Sequence, residues 1–170
     1  ESDIVIGFTA TDKYSDKKCL MRILNKQIHR MSIKEAIDLQ LITPFSVITV
    51  ETKVDLSQVR TDFSSGDYNR HDLAETLAHS SLTKDAIELY KRHFHKDVGI
   101  ISCCGVDHAK AVASAFSKAG IPSVAVYGEM DDNKRTKAIE THQTGEVKIL
   151  TTAKLLTGGY DNPIASFIFN

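Results

Sequence analysis

The feature that most constrains the fold is a regular alternation of apolar runs and amphipathic segments from residue 98 onward. The run VGIISCC (98–104) is continuously apolar, which is typical of a strand covered on both faces. In the segment after it, four apolar residues recur at the spacing of one helical face: Ala109, Val112, Ala113 and Phe116. We predict that Asp107 caps this helix at its start and that Gly120 ends it.

The same alternation continues to the end of the chain. Apolar runs at 121–128 (IPSVAVYG), 146–152 (EVKILTT) and 165–169 (ASFIF) predict three further strands. Residues 131–145 (DDNKRTKAIETHQTG) predict a second capped helix. Strands that alternate with helices of this length are joined by right-handed crossovers and lie in a parallel sheet. The predicted fold class is therefore α/β with a mainly parallel sheet.

The patterns upstream of these strands are shorter. Ser32 and Glu35 have the spacing of a capping box, which predicts that a helix starts in SIKEAIDLQ (32–40). Residues 3–8 (DIVIGF) form a brief β-rich run, and residues 44–54 (PFSVITVETKV) predict a strand or a connector. A loop and then two helices are predicted for the next three segments: 55–69, 70–80 and 83–95.

Composition limits the classes of function. Hydrophobic residues make up 42% of the chain and charged residues 25%, and no apolar run approaches the roughly 20 residues of a membrane span. We therefore expect no membrane partner.

The net charge of −1 does not indicate a nucleic-acid-binding surface, and the acidic excess in residues 44–80 predicts a solvated face. Three cysteines lack the spacing of a disulfide or metal framework, so we expect thiols in a reducing, cytoplasmic compartment: Cys19, Cys103 and Cys104.

The segment ILTTAKLLTGGYDNP (149–163) is the best candidate for a ligand site. Parallel sheets bind ligands beyond the carboxyl ends of their strands, where we expect this segment to lie. Gly158 and Gly159 would let the main chain approach a phosphate, and Asp161 is suited to accept a hydrogen bond from a ribose hydroxyl or an arginine. The residues alone leave a second interpretation open, in which these glycines and Asp161 only form a turn.

Three segments together resemble motifs III, IV and V of the superfamily 2 helicases in order and spacing: GFTAT (7–11), IISCCGVDHAKAVASAF (100–116) and ILTTAKLLTGGYDNP (149–163). The resemblance is to the branch that contains type I and type III restriction subunits and related DEAD/DEAH-type DNA helicases. It implies a three-layer RecA-like C-terminal lobe from residue 44 to 170. Residues 1–43 would then be the last strand and the exit segment of lobe one.

The resemblance also implies roles for individual residues. Gly159 and Asp161 match the motif V pair that faces the nucleotide. The coupling motif, which links hydrolysis to movement, would be Thr9, Ala10 and Thr11. Five residues would lie near the nucleic-acid backbone, with Thr151 and Thr152 as alternatives for one phosphate contact: Cys103, Gly105, Gly128, Thr151 and Thr152.

The chain departs from the helicase pattern in several places. Asp12 stands where relatives usually have proline, Ala153 and Lys154 stand where relatives often have Thr-Asp, and Gly158 replaces a frequent glutamate. No P-loop, D-E-x-[DH] box or motif VI arginine occurs in these 170 residues. These groups perform the electrostatic work of phosphoryl transfer. We therefore expect no catalytic residue and no metal ligand here, and no ATP hydrolysis by this chain alone.

ATP and Mg²⁺ would be the cofactors of a longer parent protein, whose partners would be nucleic acid, with DNA expected, and its own lobe one. Two other interpretations remain open. One is a Rossmann-like domain that binds a small nucleotide, and the other is a degenerate helicase lobe that acts as a protein-interaction module. His108 follows the predicted cap and has two interpretations, a contact to a backbone phosphate or a surface residue in the first turn of its helix, of which the second is favoured.

Overall fold

The computed structural model describes residues 5–9, 23–24, 26–52, 54–62, 66–78, 80–153 and 160–170. The chain forms two compact units, Glu1–Val50 and Glu51–Asn170. Of the two, the second carries the sheet. No helix within the described ranges is both long and apolar enough to cross a lipid bilayer.

The described part of the first unit contains a short helix, α1 (Ile33–Asp38). The predicted capping box is confirmed: Ser32 Oγ accepts from the Glu35 amide at 3.1 Å, and Glu35 Oε2 accepts from the Ser32 amide at 2.7 Å. These bonds hold the pKa of Glu35 below its ordinary value. Residues 5–8 of the β-rich run are exposed and pair with no strand among the described residues, and the strand of lobe one that the resemblance implies there stays a prediction. Residues 44–50 likewise form a connector rather than a strand.

The second unit begins with an acidic loop and two helices. An antiparallel bridge joins Thr61 to Tyr68, and Arg60 forms a bidentate ion pair with Asp72 at 2.6 and 2.8 Å. The Arg60 guanidinium lowers the pKa of Asp72 to about 2. The helices are α2 (Arg70–Ala78) and α3 (Leu82–Leu89), and a single π-helical turn extends α3 over Tyr90–Phe94.

Four parallel strands form the sheet, in the spatial order β2-β3-β1-β4. Their bounds are β1 (Val98–Ser102), β2 (Ser123–Val126), β3 (Ile149–Thr152) and β4 (Ala165–Phe169). Ile100 pairs with Leu150, and Leu150 pairs with Val124. All four strands lie within the predicted apolar runs, so the predicted parallel α/β sheet is confirmed.

Helices cover both faces of the sheet and give the three layers that were predicted. Helix α4 (Val106–Lys118) contacts β2 and β3 on one face, where Phe116 and Ile149 belong to the larger core cluster. Helix α5 (Asp132–Gln143) contacts the same strands on the other face, where Ala138 packs with Leu150 and Val126. Ile149 and Leu150 point to opposite faces because side chains alternate along a strand.

The two ends of α4 show one correct and one wrong prediction. Gly120 adopts a φ of 83°, and the Ile121 amide donates to the Phe116 carbonyl at 3.0 Å, which is the predicted glycine cap. Asp107 is not the N-cap. The helix begins at Val106, directly after the chain leaves β1, so Gly105 occupies the cap position and Asp107 lies in the first turn. There its charge still complements the helix dipole.

Candidate functional site

The carboxyl edge of the sheet brings most of the predicted nucleic-acid residues together. Strands β1, β3 and β2 are neighbours and run in the same direction, so their C-terminal ends meet at this edge. Cys103 and Gly105 follow β1, Gly128 follows β2, and Thr152 ends β3. The Cys103 amide donates to the Thr152 carbonyl at 2.8 Å. Residues separated by up to 49 positions in sequence, Cys103 to Thr152, are therefore adjacent in the fold.

The N-terminus of α4 opens onto this edge. No side chain caps it, because the N-cap residue is Gly105. The first amides of a helix have no partner within the helix, and together with the helix dipole they favour an anion. The site thus offers backbone N–H donors where a phosphate group would need them.

Thr151 and Thr152 are both buried but are chemically distinct. Thr151 Oγ1 donates to the Ala109 carbonyl of α4 at 2.8 Å, so this hydroxyl fastens the helix to β3. Thr152 is 5% exposed, and its Oγ1 has no hydrogen-bond partner in the part of the chain that the structure describes. A buried hydroxyl without a partner is costly, and the end of a strand at a ligand edge is a place where a ligand can supply one. Of the two alternatives, Thr152 is the better candidate for the phosphate contact.

The two threonines provide a matched pair of substitutions. Thr152→Val should leave the free energy of unfolding unchanged or raise it by about 1 kcal/mol, because it removes an unpaired buried hydroxyl. It should also weaken nucleic-acid binding by the complete protein several-fold. Thr151→Val should lower the free energy of unfolding by about 1 kcal/mol and leave binding unchanged. Denaturant unfolding and fluorescence anisotropy measure the two effects, and a destabilised Thr152→Val variant would show that this hydroxyl has a structural partner.

The two vicinal cysteines behave as structural thiols. Burial, with a smaller contribution from Cys104, raises the pKa of Cys103 to about 12, so its thiolate does not form near neutral pH. Cys104 Sγ lies 3.2 Å from Nδ1 of His108. His108 is half-buried rather than exposed as predicted, and burial lowers its pKa, so the ring is neutral and can accept from the thiol.

The turn that contains Gly128 is fixed by the start of α5. Asp131 caps α5 by accepting from the Lys134 amide at 3.1 Å. Arg135 forms an ion pair with Asp132, and its Nη1 donates to the Gly128 carbonyl at 3.2 Å. The guanidinium thus holds the turn, and its charge is paired with that of Asp132.

Sequence patterns missed a second cation at this edge. Lys110 Nζ lies 4.5 Å from the centroid of the Tyr127 ring, which is a cation–π contact. Lys110 follows the first turn of α4 and Tyr127 follows β2, so only the fold brings them together. The edge therefore carries two cations, Lys110 and Arg135, beside the carboxylates of Asp107, Asp131 and Asp132.

Asp161 lies at the opposite edge from these residues. Its carbonyl accepts from Gln143 Nε2 at 3.0 Å, at the C-terminal end of α5, and β4 begins four residues later at Ala165. Because β4 is parallel to β1, the chain must return to the amino edge after β3 before β4 can start. The expectation that the whole segment 149–163 sits at the carboxyl edge is wrong for Asp161, whose side chain is exposed at the amino edge.

Several predicted residues lie outside the described residues: Ala10, Thr11, Gly158 and Gly159. Thr9 is described and exposed, and it belongs to the first unit. The roles of the coupling motif and of Gly159 stay predictions. Within the described ranges, no group of three or more His, Cys, Asp or Glu side chains could hold a metal ion.

Several of the known proteins to which the chain is similar are named as helicases. No protein-family profile matches the chain. The protein named "Putative mitochondrial ATP-dependent helicase irc3" of Schizosaccharomyces pombe is 28% identical over 160 residues, which cover 94% of this chain and 26% of that protein. The protein named "Putative ATP-dependent helicase IRC3" of Saccharomyces cerevisiae is 25% identical over 162 residues, covering 94% of this chain and 23% of that protein.

A solved structure with a similar fold is the C-terminal domain of the DEAD-box protein Dbp5, with a TM-score of 0.46 and 22% identity over 52% of this chain and 48% of that chain. The chain spans about a quarter of the length of the two curated relatives. Their similarity extends over nearly the whole chain, and the sheet has the parallel three-layer order that the motifs implied. The chain is therefore similar over nearly its whole length to proteins named as ATP-dependent helicases, and residues 51–170 contain its parallel sheet with helices on both faces.

Proposed function

We propose that this chain supplies the second lobe of a longer ATP-dependent helicase or translocase. The observation that carries the proposal is the similarity, over 94% of the chain, to two proteins named putative ATP-dependent helicases. In such a protein, the second lobe completes a nucleotide cleft with lobe one and holds the nucleic-acid backbone. The alternative of a Rossmann-like binding domain does not account for similarity across the first unit.

The carboxyl edge of the sheet would hold the nucleic-acid backbone. The amides at the start of α4 and the hydroxyl of Thr152 would donate hydrogen bonds to phosphate oxygens, and Lys110 would add positive charge. None of these groups reads a base edge, so the contacts position the strand without selecting its sequence. At the amino edge, Asp161 would accept a hydrogen bond from the nucleotide ribose or orient an arginine.

We infer that the cofactor is ATP with Mg²⁺, because phosphoryl transfer needs a cation to neutralise the developing charge. The described residues do not fit a metal site, so the ligands of that cation would come from lobe one.

We also infer that the nucleic acid is DNA, because the motif segments resemble the branch of the restriction subunits. The free thiols of Cys103 and Cys104 support a reducing, cytoplasmic setting.

The test measures ATP hydrolysis by the complete protein without nucleic acid and with single-stranded DNA, duplex DNA or RNA of equal length. We expect turnover that rises several-fold with DNA and less with RNA, and that is lost when Mg²⁺ is chelated. Turnover that no nucleic acid changes would contradict a motor function. Tight binding of a dinucleotide to this chain alone would instead favour the Rossmann-like alternative. A complete gene that encodes neither P-loop nor DEAH-like box would favour the interaction module.

A further inference from the structure

A buried polar cluster around His142 lies apart from the carboxyl edge. His142 is 0% exposed, near the C-terminal end of α5. Its Nε2 lies 3.1 Å from the Gly99 carbonyl of β1. Its Nδ1 lies 2.7 Å from Tyr160 Oη and 3.0 Å from Asn162 Nδ2. One ring therefore connects a helix, a strand and the segment that precedes β4.

The partners of His142 define its protonation state. A carbonyl oxygen can only accept, so Nε2 carries the hydrogen that Gly99 receives. The other nitrogen then accepts in the neutral ring, and Tyr160 and Asn162 both present donors to it. Burial lowers the pKa of His142, which agrees with a neutral ring. If Nδ1 carried a hydrogen instead, two donors would face each other, the Nδ1 hydrogen and the amide hydrogens of Asn162.

This cluster fixes three consecutive residues at the amino edge. Tyr160 and Asn162, on either side of Asp161, both contact His142, and Gln143 holds the Asp161 carbonyl at 3.0 Å. The carboxylate of Asp161 stays exposed. Hydrogen bonds to the rest of the protein thus hold this backbone, while the Asp161 carboxylate faces the solvent.

The Gly99 side of the cluster is equally constrained. A Cβ on Gly99 would lie 2.2 Å from the Phe167 ring, so the strand and the ring are in close contact. The register between β1 and β4 shifts between Val98 and Gly99, next to the carbonyl that accepts from His142. The cluster is therefore anchored in a tightly packed part of the sheet.

We propose that His142 is a positioning residue that presents the Asp161 carboxylate in one orientation. An apolar side chain of similar size would fill the same space but would lose the hydrogen bonds of the ring to the Gly99 carbonyl, the Tyr160 hydroxyl and the Asn162 amide. The buried hydrogen bonds therefore fix the orientation of the segment 160–162, which packing alone would not do. The hydrogen bonds alone show that His142 holds this segment. The functional importance of holding Asp161 rests on the proposed function.

The first test uses His142→Gln in this chain. Glutamine can still donate to Gly99, because its Nε2 occupies the place of the imidazole Nε2, but it has no acceptor at the position of Nδ1. Amide hydrogen exchange reports on the segment, since the Ile164 amide donates to Asn162 Oδ1 at 3.2 Å and the Ala165 amide to Asn162 O at 3.1 Å. We expect exchange at both amides to become about tenfold faster, with strands β1 and β3 unchanged.

Two further variants complete this experiment. Tyr160→Phe removes only the hydroxyl and should accelerate the same two amides. Thr141→Ala is the matched control, because the Thr141 hydroxyl donates to the Lys137 and Ala138 carbonyls of its own helix, and it should leave them unchanged. Nitrogen NMR of the His142 ring should show hydrogen on Nε2 and none on Nδ1. Unchanged exchange in His142→Gln, or the opposite tautomer, would overturn the proposal.

The second test connects the cluster to the nucleotide. In the complete protein, His142→Gln should raise the KM for ATP by about tenfold and change kcat less, because the carboxylate remains but is held less firmly. Faster exchange with unchanged kinetic constants would overturn the positioning role. If the complete protein shows no nucleic-acid-stimulated turnover, the proposed function fails, and the exchange rates still decide whether His142 holds the segment.

Discussion

Replacing Asp161 with alanine in the complete protein is expected to lower nucleic-acid-stimulated ATP turnover by roughly tenfold to more than a hundredfold. A carboxylate that binds a ribose hydroxyl or an arginine makes one charge-assisted hydrogen bond, worth about 1.5–3 kcal/mol. The side chain is exposed, and the backbone around it is held by Gln143 and His142 rather than by the carboxylate. The thermal midpoint should therefore stay within about a degree or two of the wild-type value.

Two companion variants separate the explanations for such a loss. Asp161→Asn keeps an acceptor but loses the charge, so it should be nearly normal if the partner is a ribose hydroxyl and as impaired as alanine if it is an arginine. Glu88→Ala removes an exposed carboxylate from α3 and should have wild-type turnover. A lowered midpoint with normal turnover in Asp161→Ala would mean that the residue only stabilises a turn.

Much of the fold of residues 51–170 is predictable from the sequence because its signals are local and repeated. The helical face of Ala109, Val112, Ala113 and Phe116 is buried as its spacing predicts. The strands are apolar runs in a sheet covered on both faces, and Gly120 provides the positive φ that ends α4. Each of these features depends on residues within a few positions of one another.

Other features depend on partners that the local sequence does not reveal. Residues 5–8 and 44–50 are rich in β-branched and aromatic residues, yet a strand also needs a neighbouring strand, and these segments have none within the described ranges. Asp107 has the chemistry of an N-cap, but the end of β1 determines where the helix begins, and this gives Gly105 the cap position. Helix and strand propensities identify suitable residues, but they do not determine where a helix or strand begins.

The candidate site shows the same limit at the level of side chains. Thr151 and Thr152 are indistinguishable in the motif, because a strand buried on both faces shows no alternation that would identify either face. Only the contact with Ala109 on α4 separates them. The cluster at His142 has no local sequence pattern, because its partners are 18, 20 and 43 residues away in sequence. A histidine four residues after the buried Ala138, on a mostly polar helix, was the available signal.

Phe116→Ala is expected to lower the free energy of unfolding by about 3–5 kcal/mol. Phe116 is 0% exposed and packs in the cluster that joins α4 to the sheet, with its ring edge-to-face to Tyr90 at 6.2 Å between centroids. Its carbonyl also accepts from Ile121 in the glycine cap of the helix. Alanine would leave a cavity between α4, α3 and β3. Because a domain has only about 5–15 kcal/mol of stability, a loss of this size would leave much of the protein unfolded on mild heating.

Phe45→Ala is the matched control, since the same side chain is 64% exposed in the first unit and should change the free energy of unfolding by less than about 0.5 kcal/mol. Urea unfolding of both variants, with equal m-values, measures the difference. A cost below about 1 kcal/mol for Phe116→Ala would mean that α4 is not packed as described. The functional consequence follows from the same packing, because α4 carries Gly105 and the uncapped amides at its start. A variant with loosened α4 should therefore lose nucleic-acid binding in proportion to its unfolded fraction, whereas Thr152→Val should lose binding while remaining fully folded.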